Sequence, residues 1–287
     1  DGFELLALHP ILSSLVPRLA RALSSLPAEK QQPWKNQFTR SVRLLFRVQA
    51  RISDSISNER TLSVSEYIAL RREIYASSIL WDIVEVLDII SRPKGKNPAE
   101  KEKLRKITQC AIDAVSWATD IFAYASPSRC SSHNLVSLLI THKSLSVQGA
   151  MNYVGGMIKE TLHEFHRLER ELIPSSNDQD SASWGWLRSI GSVIRLGAEG
   201  GANSSASPNS YLGGINQDSA TPDGWSLNTH WEDDTFDDPN VSSSHLARYI
   251  LALKDYVIGS MHWGYETELF FGVKGDEVRS FGWVFLN

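Results

Sequence analysis

The sequence has no apolar run approaching the ~18 residues that a helix needs to cross a bilayer, so no membrane span is expected. Cysteine is scarce. Cys110 and Cys130 stand in dissimilar surroundings without a pairing signature, which fits a reducing compartment better than a disulfide scaffold. The stretch from Asp1 to Pro10 lacks the charged-then-apolar layout of a secretion signal, and a cytoplasmic protein is expected. Without that signal, the sequons at Asn203 and Asn240 carry little meaning. The formal charge is only -4 and no basic stripe exists, so a nucleic-acid partner is not expected. No glycine-rich phosphate loop, nucleophile elbow or CxxC pair is visible. No segment alternates with a period of two, which argues against a sheet.

What the sequence does contain is a chain of 287 residues, 42% hydrophobic and 22% charged, long enough to bury a substantial core. It is rich in aromatics, with nine tryptophans, ten phenylalanines and eight tyrosines. Such a set suits a cavity for a flat, greasy or cationic ligand, and equally an ordinary core.

The dominant period is helical. Leu12, Leu15, Val16 and Leu19, then Val42, Leu44, Leu45 and Val48, predict two helices separated by a break at Pro33. Ser63 with Glu66 three residues on reads as a capping box opening a long helix to about Ile90, stopped by Arg92-Pro93. Ile107, Cys110, Ala111, Ala114, Trp117, Ala118, Ile121 and Phe122 mark the apolar face of a helix over 101–125, closed by Pro127. A short helix over 134–141, a long one over 146–172 and a last one over 245–271 complete the set, before an apolar tail at 281–286. Residues 175–244, rich in Ser, Asn, Asp and Gly, read as an insertion or lid, with a short helix over 184–196. The expectation is an all-α bundle, a single domain over 1–287 with that insertion before its last helix.

Five segments, in order, carry a resemblance. They are SEYIALRREIYASSILWDIVE from Ser65, CAIDAVSWATDIFAY from Cys110, HNLVSLLITHKSLSVQGAMNYV from His133, FHRLERELIP from Phe165 and YILALKDYVIGSMHWGYETELFFG from Tyr249. Together they are similar to microbial class I terpene cyclases over most of the chain. The resemblance implies an α-helical fold, an aromatic cavity for an isoprenoid, and a magnesium cluster that draws off diphosphate.

The departures from that family are equally informative. Magnesium takes hard oxygen ligands, which the family spaces at i, i+4 and i+8 to place them on one helical face. The matching positions here are Thr119, Ala123 and Pro127, and neither Ala123 nor Pro127 has a donating side chain. Asp120 survives, about 100° round the helix from Thr119. The arginine-tyrosine pair that grips diphosphate is replaced by Leu269-Phe270, while Arg72 keeps the place of the diphosphate-sensing arginine, followed by Tyr75 and Ala76. For the first acidic motif only Asp1 and Glu4 are candidates. Asp233, Asp234 and Asp237 spell a D-D-x-x-D pattern inside the insertion. These are weak metal candidates, and Mg²⁺ is expected only if such a motif outside the eroded second site is functional.

His163 and His166 share a helix face, but without a third convergent ligand they read as surface residues. The resemblance implies a substrate surface of Tyr75, Trp81, Trp117, Phe122, Trp263, Tyr265, Leu269 and Phe270, with Arg72, Asp120 and Tyr124 as the catalytic candidates. The first expectation is a non-standard cyclase acting on a hydrophobic small molecule without the trinuclear cluster. A ligand-binding or partner protein that kept the fold is the second, and a magnesium-dependent sesquiterpene or diterpene cyclase with a degenerate second motif is the third. A homodimer stays open.

Overall fold

The computed structural model describes residues 12–58, 60–76, 79–86, 95–126, 133–174 and 243–281, with isolated positions Glu4, Ala7, Leu8 and Pro93. At 12, 75, 76, 85, 86, 243, 244 and 281 only the backbone is described. Among these residues all regular structure is helical, so the protein is all-α as its periodicity predicts. The predicted helix over 184–196 and almost all of the 175–244 insertion lie outside the described residues.

After a 3₁₀ turn at Leu12–Leu15 come α1 (Val16–Ser25), α2 (Ala28–Ser57), α3 (Val64–Ala76) and α4 (Ile79–Val86). They are followed by α5 (Pro98–Tyr124), α6 (Leu135–Lys143), α7 (Val147–Leu172), α8 (Ser243–Glu266), α9 (Glu268–Phe271) and α10 (Gly275–Phe281). Most starts carry their signal in the sequence. Ser63 and Glu66 form the predicted capping box, Glu66 N–H donating to Ser63 Oγ at 3.2 Å and Ser63 N–H to Glu66 Oε2 at 2.9 Å. Asn97, Asn134 and Ser146 cap α5, α6 and α7 with their side-chain oxygens.

Two expectations need correction. Pro33 does not break the first helical region, because it sits in the second turn of α2 and costs only one backbone bond. The break falls at Leu26, forced into extended backbone (ψ 149°) by Pro27 behind it. The helix expected over 63–90 is described as two, α3 and α4, with residues 77–78 between them outside the described set. The last long helix stops at Glu266, not Phe271, because Thr267 adopts extended backbone and caps α9, accepting from Leu269 N–H.

The described residues pack as two compact units. One draws on Asp1–Arg60, Glu73–Lys94 and Thr229–Tyr249, the other on Thr61–Arg72, Gly95–Asn228 and Ile250–Asn287. In the first, Leu19 and Leu23 of α1 meet Trp34, Phe38 and Val42 of α2, with Ile79 and Ile83 of α4 against them. Trp34 stacks on Phe38 at 4.8 Å and donates its Nε1–H to the Asp82 carbonyl at 2.8 Å. In the second, α5 is the central helix. It packs most extensively on α7 and also on α6, and Ala111, Ile112, Ala114, Val115, Trp117 and Ala118 are buried on its apolar side while Asp113, Ser116 and Asp120 are buried on the other. A helix buried on every side sits inside a core, and its buried polar side chains need partners there.

Candidate functional site

The chemistry-bearing residues of the second unit gather at two levels along α5. The first is ionic. Asp113 and Asp120 lie two turns apart on α5, nearly fully buried, and each takes an arginine from α3. Arg72 holds Asp113 with two parallel bonds, Nε to Oδ1 at 2.9 Å and Nη2 to Oδ2 at 2.7 Å, and Gln109 adds a third donor at 2.9 Å. Burial acts against the charge on Arg72, yet Asp113 holds its pKa above the ordinary value. A planar guanidinium fits a carboxylate in this bidentate way, so Arg72 has an internal partner of the shape it would offer a ligand.

Asp120 joins three elements. It accepts from Arg71 Nη2 at 2.7 Å, Tyr67 Oη–H at 2.7 Å and the Leu135 N–H at 3.3 Å, while its backbone carbonyl accepts from Asn134 Nδ2 at 2.8 Å. Burial pushes its carboxyl pKa up, and Arg71 and the donated hydrogen bonds pull it down. The sequence singled out Asp120 as a surviving motif residue; the structure places it in a network binding α3, α5 and α6.

The second level is aromatic, at the C-terminal end of α5. Phe122 is 5% exposed and packs edge-on to Tyr265 at 4.9 Å, with Phe271 at 5.6 Å and Phe270 at 5.8 Å. Tyr265 stacks on Phe271 at 5.5 Å, and burial holds its phenol well above the usual range. The ring of Phe122 lies directly over Gly264, where a Cβ would stand 2.5 Å from Cε2. Leu269 is half-buried beside this cluster and Tyr124 half-buried two residues past Phe122. Phe271 belongs to the cluster but was not among the sequence candidates. The FF pair after Leu269 was its only signal.

The structure brings together Phe122, Tyr265 and Phe270, and places Trp117 fully buried on α5. Trp263 is 55% exposed and meets the cluster only through the edge of Phe270 at 6.1 Å. Trp81 belongs to the other unit, packed on Tyr249 at 5.9 Å. Glu4 is exposed. Asp1, Asp233, Asp234, Asp237, Pro127 and the Tyr75 side chain lie outside the described residues. His163 is exposed as expected, but His166 is buried, its Nδ1 3.4 Å from Glu169, which also pairs with Lys254 of α8.

At the described positions that the resemblance aligns with the second motif, the side chains are engaged within the chain or carry no donor. Thr119 donates its hydroxyl to the Val115 carbonyl at 2.8 Å, Ala123 has no donor, and Asp120 is saturated by its own chain. Among the described residues no three His, Cys, Asp or Glu side chains converge as a metal site would require. Nor is any helix among them long and apolar enough to cross a membrane.

The all-helical architecture is consistent with the class I terpene synthases. Residues 7–164, more than half of the chain, match the family model described as terpene synthase family 2, C-terminal metal binding, and the chain belongs to that family. It is 22% identical over 217 residues to alpha-muurolene synthase of Coprinopsis cinerea, covering 75% of this chain and 36% of that protein. Over 218 residues it is 23% identical to sesquiterpene synthase Agr1 of Cyclocybe aegerita, covering 76% and 44%. It is also 31% identical over 120 residues to a 4-epi-cubebol synthase of Streptosporangium roseum, covering 40% and 35%. The chain spans less than half the length of each of these relatives.

Proposed function

We propose that the protein is a terpene-cyclase-like enzyme that takes a neutral, hydrophobic isoprenoid and works without the trinuclear magnesium cluster. The observation that carries the reading is the aromatic cluster of Phe122, Tyr265, Phe270 and Phe271, in which Phe270 falls at a position that the resemblance aligns with a diphosphate ligand. A diphosphate is a dense negative charge, and greasy rings offer it neither cation nor hydrogen bond. A neutral terpenoid meets no such penalty there, and ring faces suit the positive charge that develops during cyclisation. Phe122, Tyr265, Leu269 and Phe270 form the substrate surface in this reading, with Trp117 behind them. Tyr124 is the hydroxyl that orients or protonates the substrate, while Arg72 and Asp120 act as positioning residues through the pairs that hold α3 on α5.

The sesquiterpene synthase names of the relatives support an isoprenoid substrate class. The test is incubation with farnesyl or geranylgeranyl diphosphate and Mg²⁺, beside neutral sesquiterpenoids with EDTA, with products read by gas chromatography and mass spectrometry. No product from the diphosphates and turnover of a neutral substrate in EDTA are expected. Efficient Mg²⁺-dependent turnover of either diphosphate would overturn the proposal in favour of an ordinary cyclase. The packing of Phe122 onto Gly264, which fills that end with the protein's own side chain, favours a second reading, a ligand-binding protein that kept the fold. Calorimetric binding of neutral sesquiterpenoids without product would select it.

A further inference from the structure

On α5 and α7 surface cations are neutralised by neighbours on their own helix. Arg105 and Lys106 share Glu102, and Arg167 bridges Glu164 and Glu171. α2 is different. From Lys30 to Ser53 it carries six cations, Lys30, Lys35, Arg40, Arg43, Arg47 and Arg51, and no carboxylate, over about 36 Å of helix. All six belong to the first compact unit. Arg51 reaches Glu73 at 3.0 Å, but among the described residues no carboxylate pairs with Lys30, Lys35, Arg43 or Arg47. Arg43 and Arg47 are exposed and stand five residues after the fully buried Phe38 and Val42, so they project about 140° round the helix from the packed side. These cations form no run in the sequence because the helical period separates them. Folding collects Arg40, Arg43 and Arg47 on one solvent face.

We infer that this face is an electrostatic docking surface for the anionic headgroups of a lipid bilayer. Its means of attachment is charge. No large apolar side chain is exposed on α2 between Lys30 and Ser53, so the face lacks the buried anchor on which a protein interface depends. Beside the arginines on that face stand Asn36 and Ala50, and no aromatic ring offers itself to an unpaired base. Between a bilayer and a nucleic-acid duplex, which both present phosphates, the choice rests on the function proposed above, because a neutral isoprenoid dissolves in bilayers. Each cation held near an anionic surface strengthens partitioning about fivefold, an effect that fades within a Debye length of about 8 Å at physiological salt.

The test is flotation of the full chain with vesicles of phosphatidylcholine, alone or with about 30% phosphatidylserine, in about 0.05 M and 0.5 M salt. Binding to the anionic vesicles in low salt, its loss in high salt and none to phosphatidylcholine alone are expected. Arg43→Glu with Arg47→Glu should weaken binding about twentyfold or more, whereas Arg43→Lys with Arg47→Lys should keep it. Asp54→Asn, which removes the carboxylate that ends the cationic stretch, should tighten it severalfold. Both arginines are exposed, so circular dichroism and thermal unfolding of the variants should match wild type. Absence of binding to the anionic vesicles overturns the inference, as does a charge-reversed variant that binds like wild type. Tighter binding to a DNA duplex than to the vesicles overturns it in favour of a nucleic acid. Vesicle binding is read without turnover, so it can fail while the proposed reaction stands, or succeed while that reaction fails.

Discussion

Gly264→Ala offers a sharp check on the aromatic cluster. The added Cβ would stand 2.5 Å from Phe122 Cε2 and 2.7 Å from Cδ2, whereas carbon atoms rest at roughly 3.5–4 Å. The ring must move by about 1 Å, but Tyr265, Phe270 and Phe271 surround it with centroids 4.9 to 5.8 Å away. Overpacking of this kind costs about 1–3 kcal/mol, and disturbing the edge-on pairs adds about 0.5–1.5 kcal/mol each. Replacing a helical glycine by alanine returns only about 1 kcal/mol. The net expectation is a loss of roughly 1–3 kcal/mol, or several degrees in Tm. Gly259→Ala is the internal control. It sits on the same helix with no described atom within 4 Å of its Cβ, so it should gain about 0.5–1 kcal/mol. Paired urea and thermal unfolding curves would show opposite signs. If Gly264→Ala proves as stable as Gly259→Ala, Phe122 does not occupy that seat and the argument from a closed, apolar pole fails.

Asp120→Asn leaves Arg71, whose side chain is 18% exposed, without its counter-charge, and turns an amide donor towards the groups that now donate to Asp120. A loss of about 3–5 kcal/mol in urea unfolding is expected, and a loss under about 1 kcal/mol would contradict its role as the link between α3, α5 and α6. Burial raises the Cys110 thiol to about 12 from the usual 9.0, so the folded chain holds that proton where the unfolded chain releases it. The resulting stability is complete below about pH 9 and is lost as pH rises towards 12. Iodoacetamide at pH 8 should therefore spare Cys110 in the native protein and label it only after denaturation, as read by peptide mass spectrometry. Native labelling at the unfolded rate would show that the thiol is not buried on α5.

The all-α class and the starts of α3, α6 and α7 were determined by the sequence alone. Their causes are local or compositional. A capping side chain acts within three residues, and apolar periodicity needs one helix. Pro33 misled because the helix continues through it from Ala28 to Ser57 despite the lost backbone bond, so one proline was outweighed by the burial of the whole face. Only the tertiary structure decided what Arg72 and Asp120 do. Their partners lie 41 to 53 residues away, and periodicity reveals that a residue is buried without revealing what it meets. The same holds for Phe122 on Gly264, for the inward turn of His166, and for the exposure of Trp263. Each depends on which helix packs opposite, and that is fixed by the burial of whole faces rather than by any neighbouring residue in the chain.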